Sequence, residues 1–136
     1  MSDGYLETDV PDGYMQIANF RQGVISPLDD ESCVVKNDTF EGTMCVAVDY
    51  LQISSYGGFD TLHDKRFFDL LNEECGFHLA DNENEYIPPE KLDQVIKTLK
   101  KHQNEFTREY TKVFTKMLID LVTSAKERGH PVIFIL

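Results

Sequence analysis

The run from Phe106 to Ala125 constrains this chain more than any other segment. Phe106, Tyr110, Val113, Phe114, Met117, Leu118, Leu121, Val122 and Ala125 recur at helical spacing over five turns. A helix with so much apolar surface has to bury it, and each large side chain fully buried contributes roughly 1.5–3 kcal/mol. The helix is therefore expected to form the spine of the core, with Asn104 capping its start and Gly129 ending it. Its opposite face carries Arg108, Lys112, Lys116, Lys126 and Arg128.

The segments around this spine decide the fold class. Thr43 to Ser54 reads as the best strand, with Met44, Val46, Val48 and Tyr50 alternating against Cys45, Ala47, Asp49 and Leu51. Both of its faces are largely apolar, so a central strand with one face under helices is expected. Val10-Pro11-Asp12-Gly13-Tyr14 is a turn between Tyr5–Asp9 and Tyr14–Phe20, which read as a hairpin. Asn37-Asp38 is a second tight turn, between Cys33–Lys36 and Thr39–Phe40. A helix is expected from about Leu62 to Cys75, capped by Asp60 or Thr61, with Gly76 as its left-handed stop. Asp81 to Tyr86 reads as a polar loop. Pro88-Pro89 then opens a helix whose stripe is Leu92, Val95, Ile96 and Leu99. Val132 to Leu136 is a short apolar terminal strand, expected inside the sheet beside a parallel neighbour. Strands first and helices later indicate an α+β domain, an antiparallel-rich sheet from the N-terminal half packed against C-terminal helices. The 136 residues suffice for a single domain, 1–136, in which positions 1–12 read as a flexible or hairpin arm.

Charge divides the chain. Through Glu90 it holds 19 acidic and 4 basic residues, net −15, and from Lys91 onward 5 acidic and 9 basic, net +4. The total of −11 argues against nucleic acid or an anionic membrane as partner and towards a basic protein. Met1 to Val10 carries three acids and no basic residue, unlike a secretory signal. No apolar run approaches the roughly 20 residues that span a bilayer. Cys33, Cys45 and Cys75 are odd in number, widely spaced and without a C-x-x-C pair, which favours reduced thiols. A soluble, cytoplasmic protein is the expectation.

Motifs for chemistry are sparse. Gly57-Gly58 sits before a helix start, but Asp60 and Asp64 at that start would repel phosphate. Cys75, His78 and Asp81 are spaced by three, yet no fourth ligand stands at a zinc-like distance. Asp81, Glu83 and Glu85 imitate the start of a calcium loop, but Tyr86 replaces its glycine and Leu92 its closing glutamate. No cofactor or metal is expected. His63, His78, His102 and His130 are scattered, and His63 with Asp60 or Asp64 is the one compact acid–base set. The remaining candidate is a partner-binding set of acids dotted with tyrosines. It comprises Asp29, Asp30 and Glu31; then Tyr56, Asp60, His63 and Asp64; then Asp81, Glu83, Glu85 and Tyr86. A ring supplies buried area against a basic protein, while carboxylates supply steering and Arg/Lys pairing.

The ending Tyr110-Thr111-Lys112-Val113-Phe114-Thr115-Lys116-Met117-Leu118-Ile119-Asp120-Leu121, then Ala125-Lys126-Glu127-Arg128 and Pro131-Val132-Ile133-Phe134, is a final helix followed by a short strand. With the small size and acidity, it resembles the bacterial immunity proteins that neutralise contact-dependent or polymorphic toxins. That resemblance covers about a quarter of the chain and transfers no site residue. It implies a non-enzymatic inhibitor that binds a cationic toxin domain, often a nuclease, and occludes its active site. Two alternatives remain open. One is a phage or host anti-defence regulator that mimics nucleic-acid charge; the other is a small hydrolase built on His63 with Asp60 or Asp64.

Overall fold

A computed structural model describes residues 15–16, 22–28, 33–36, 39–45, 48–53, 67–80 and 83–136. Strands β1 (Met15–Gln16), β2 (Gly23–Pro27), β3 (Cys33–Lys36), β4 (Thr39–Cys45) and β5 (Val48–Gln52) precede helix α1 (Phe67–Cys75). Strand β6 (Asn84–Ile87), helix α2 (Leu92–His102), helix α3 (Glu109–Arg128) and strand β7 (Val132–Ile135) follow. Short 3-10 turns at Pro89–Lys91 and Gln103–Glu105 bracket α2. The fold is α+β, with one sheet in the order β1-β4-β3 and a second in the order β5-β2-β7-β6. Every described strand pair is antiparallel.

Four expectations change here. The single strand expected over Thr43–Ser54 is two strands, β4 and β5, in different sheets, and β5 is an edge strand of the four-stranded sheet. Continuous apolarity there reflects two successive strands, not one buried on both faces. The stretch expected as a polar loop ends in β6, because Tyr86 and Ile87 pair with Ile133 and Val132. The four-stranded sheet therefore draws β6 and β7 from outside the N-terminal strand cluster. Strand β7 does lie inside that sheet, but antiparallel to both β2 and β6. Two helices rather than one separate β6 from β7, so no single-helix crossover sets a parallel return. Finally, the last helix starts at Glu109 after an extended Arg108, not at an Asn104 cap. Asn104 lies in the preceding 3-10 turn, and Phe106 is buried ahead of the helix.

The core forms where sheet and helices meet. Val24, Leu51, Val132, Phe134 and Ile87 face the helices, and Leu92, Val95, Leu99, Leu118 and Val122 pack against them. The other sheet face holds a smaller buried cluster of Ile25, Ile133 and Ile135, flanked by Val48 and Tyr86. Phe67 is the aromatic hub that ties α1 to the start of α3. Its ring centroid lies 5.5 Å from Phe68, 5.6 Å from Phe106 and 5.6 Å from Phe114. Edge-on and tilted contacts of that kind add roughly 0.5–1.5 kcal/mol beyond area burial. Gly76 and Gly129 stop α1 and α3 at φ +75° and +74°, a region that favours glycine. At Gly129 the chain closes a Schellman pattern: Gly129 N–H donates to Lys126 O at 3.1 Å, and His130 N–H to Ala125 O at 3.0 Å.

Candidate functional site

Most of the acidic set expected to bind a partner lies outside the described residues: Asp29, Asp30, Glu31, Tyr56, Asp60, His63, Asp64 and Asp81. Glu83, Glu85 and Tyr86 are described and do not form one surface. Strand alternation puts Glu85 in the row of Phe134, whereas Tyr86 lies in the row of Ile133. Tyr86 packs on the Ile25–Ile133–Ile135 cluster, which accounts for it structurally. Glu83 is exposed, and its carbonyl accepts from Leu136 N–H at 3.0 Å.

A different surface emerges from α3. The residues this helix buries are Thr111, Phe114, Thr115, Leu118, Ile119, Leu121, Val122 and Ala125. At 100° per residue, the centre of that arc is rotated by roughly 70° from the centre of the apolar stripe in the sequence. Two threonines are turned inward, and Val113 and Met117 are left 47% and 50% exposed. Thr115 Oγ1 donates to Thr111 O at 2.7 Å. Thr111 Oγ1 is buried with no hydrogen-bond partner among the described residues. Leaving a buried hydroxyl unpaired costs about 1–3 kcal/mol. The helix therefore accepts two unfavourable exchanges, polar residues on its inner side and apolar residues on its outer side.

That side faces the edge strand. Val113, Met117, Asp120 and Ser124 form one row at i, i+4, i+7 and i+11. Between Met117, Asp120, Leu121 and Ser124 of α3 and Asp49, Tyr50 and Leu51 of β5 runs an open groove of about 230 Å³, and Val113 lies one turn further along the row. Among the described residues its lining includes the apolar Leu51, Met117 and Leu121 and two carboxylates, Asp49 and Asp120, with no lysine or arginine. Arg128 stands beside it, one guanidinium nitrogen 4.0 Å from Asp49 Oδ2, an ion pair too long for a hydrogen bond. Tyr50 is 39% exposed, and burial of part of its ring pushes its phenol pKa up, so it stays neutral. An apolar lining with two carboxylates can hold the stem of a lysine or arginine while pairing its cation. None of these residues was singled out as a site in the sequence. The one legible signal was the excess width of the α3 stripe, about half the helix circumference.

Several ionisable groups elsewhere hold elements of the fold together. His102 lies between two carboxylates: its Nδ1 is 2.9 Å from Glu105 Oε2 and its Nε2 is 2.5 Å from Glu74 Oε2. Bonds to Glu105 and then Glu74 raise the His102 pKa, since both nitrogens can donate only from the imidazolium. The bond from His102 lowers Glu74, with further help from Lys101 at 3.5 Å. With both ring nitrogens engaged, His102 fastens α1 to the end of α2. His130, buried, donates from Nδ1 to Pro27 O at 2.7 Å and fixes the entry of β7. Asp93 holds Lys126 at 2.8 Å and Lys97 at 3.0 Å, which lowers its pKa to about 2. These contacts give Lys126 a partner on α2, as Asp49 of β5 gives Arg128 one. Burial raises the Cys75 thiol, whose sulfur is 3.5 Å from Thr98 Oγ1. Among the described residues no group of three or more His, Cys, Asp or Glu side chains could hold a metal ion. No helix among them is long and apolar enough to cross a membrane. Comparison with protein-family models, with curated proteins and with solved structures finds no match.

Proposed function

We propose that this protein is a non-enzymatic inhibitor of the immunity-protein kind, which docks a cationic protein domain against its acidic surface. The observation that carries the reading is the rotation of α3. It exposes Val113 and Met117, with Met117 in the groove beside Asp49 and Asp120, at the expense of burying Thr111 and Thr115. Local conflicts of this kind concentrate where a surface is kept for binding. The net charge of −11 adds long-range attraction for a basic partner and speeds encounter. A nuclease domain, basic because its substrate is anionic, has the complementary chemistry, and the same attraction would compete with its nucleic acid.

Affinity capture from the source organism, followed by stopped-flow association, tests this reading. The captured protein should be basic, and its association rate should fall by about tenfold or more between low and high salt. A neutral or acidic partner, or a rate indifferent to salt, would contradict it.

A further inference from the structure

Cys33 and Cys45 are far apart in sequence, and the pairing of β3 with β4 brings them together. The register sets Cys33 directly opposite Cys45, followed by Val34 opposite Met44. Opposed residues of antiparallel strands have Cα atoms about 4.5 or 5.5 Å apart, and both positions lie on one face. A disulfide bridges Cα separations of about 4.4–6.8 Å, which includes both values. A slip of one residue would put the two positions on opposite faces. The register shift in this hairpin falls between Val34 and Lys36, on the turn side of the pair, so it leaves Cys33 and Cys45 opposed.

We propose that Cys33 and Cys45 form a reversible cross-strand disulfide that fastens β3 to β4. With oxidised glutathione as the oxidant, one cysteine thiolate attacks a glutathione sulfur. The glutathione S–S bond breaks, and one glutathione thiolate leaves. The second cysteine thiolate then attacks the protein sulfur of the mixed disulfide, forming the Cys33–Cys45 bond and releasing the second glutathione. Two protein thiols lose two electrons and two protons, and one oxidised glutathione becomes two glutathione thiols. Cys75 stays outside this exchange. It is half-buried at the end of α1 against Thr98, and a thiol held protonated is a poor nucleophile. In a reducing compartment the bond responds to oxidation; in an oxidising one it is a standing staple of the hairpin.

The full-length chain, equilibrated with reduced and oxidised glutathione and then blocked with N-ethylmaleimide, tests the proposal by intact mass and peptide mapping. The oxidised protein should carry one maleimide in place of three, with a cross-linked peptide joining Cys33 to Cys45. The Cys33→Ser and Cys45→Ser variants should each retain two blocked thiols, while Cys75→Ser should still oxidise. The disulfide-to-dithiol ratio at a fixed glutathione ratio should exceed that of the guanidinium-unfolded chain by about tenfold or more. Three maleimides at every glutathione ratio, a bond that includes Cys75, or no advantage of the folded over the unfolded chain would each overturn it.

Discussion

Helices α2 and α3 pack against the same core and treat their sequence patterns differently. In α2 the apolar stripe and the buried stripe coincide: Leu92, Val95, Ile96 and Leu99 are all buried. The polar residue buried with them, Thr98, has its hydroxyl within reach of Gln94 Nε2 at 3.3 Å and of Cys75 sulfur. In α3 the two stripes are offset, Val113 and Met117 stay at the surface, and the Thr111 hydroxyl is buried without a partner among the described residues. One helix is explained by stability alone. The other has a side whose composition stability does not explain, and that side borders an edge strand and two carboxylates.

Substitutions on the two sides of α3 give the largest expected contrast. Leu118→Ala, at a site with no exposure, should lower unfolding free energy in urea by about 2–5 kcal/mol. Met117→Ala should change it by less than about 0.5 kcal/mol. Equal losses would mean that Met117 is core and the offset between the stripes is not real. Thr111→Val preserves shape and removes the buried hydroxyl, so it should stabilise the fold by up to about 1 kcal/mol. A loss of that size would show the hydroxyl to be well paired.

The smallest effect concerns the joint between α1 and α2. The folded-state pKa of His102 is raised above 6.5, so its contribution is full below that value and is lost as pH rises through the raised one. Glu74 is lowered below 4.5, so its contribution is full above that value and is lost as pH falls through the lowered one. The stability difference between wild type and His102→Gln should therefore be greatest between about pH 4.5 and 6.5 and shrink on both sides. A difference flat from pH 4 to 9 would rule out the three-residue ion bridge.

The α+β architecture was legible because periodicity reports which elements form. The α2 stripe, the Gly76 and Gly129 stops and the β3–β4 pairing around positions 37–38 all follow from local chemistry. What periodicity omits is which surface a neighbour covers. It could not show that β4 and β5 part into different sheets, since an apolar alternation continues through both. Strand β6 was missed because Asn84 and Glu85 are poor strand formers, held in place by their pairing with β7. The groove was hidden for the same reason: Met117 has the residue type and spacing of a core position, and which arc of α3 turns to the sheet is a tertiary outcome. The odd cysteine count pointed away from a bridge, yet the register opposes two of the three. The acid-and-tyrosine pattern did not find a common surface in Glu83, Glu85 and Tyr86, because charge in a sequence carries no direction.

The central claim is that the side of α3 facing β5 is kept for a cationic partner. Amide shift mapping with an arginine hexapeptide, on wild type and on Asp120→Lys, tests it most directly. Glu83→Lys is the control, since it alters charge equally beside β6, on the opposite edge of the sheet from β5. The expected result is saturable shifts confined to 49–51 and 113–124, with affinity falling about tenfold in Asp120→Lys and less than about twofold in Glu83→Lys. Shifts spread over the acidic surface, with equal losses in the two variants, would contradict it.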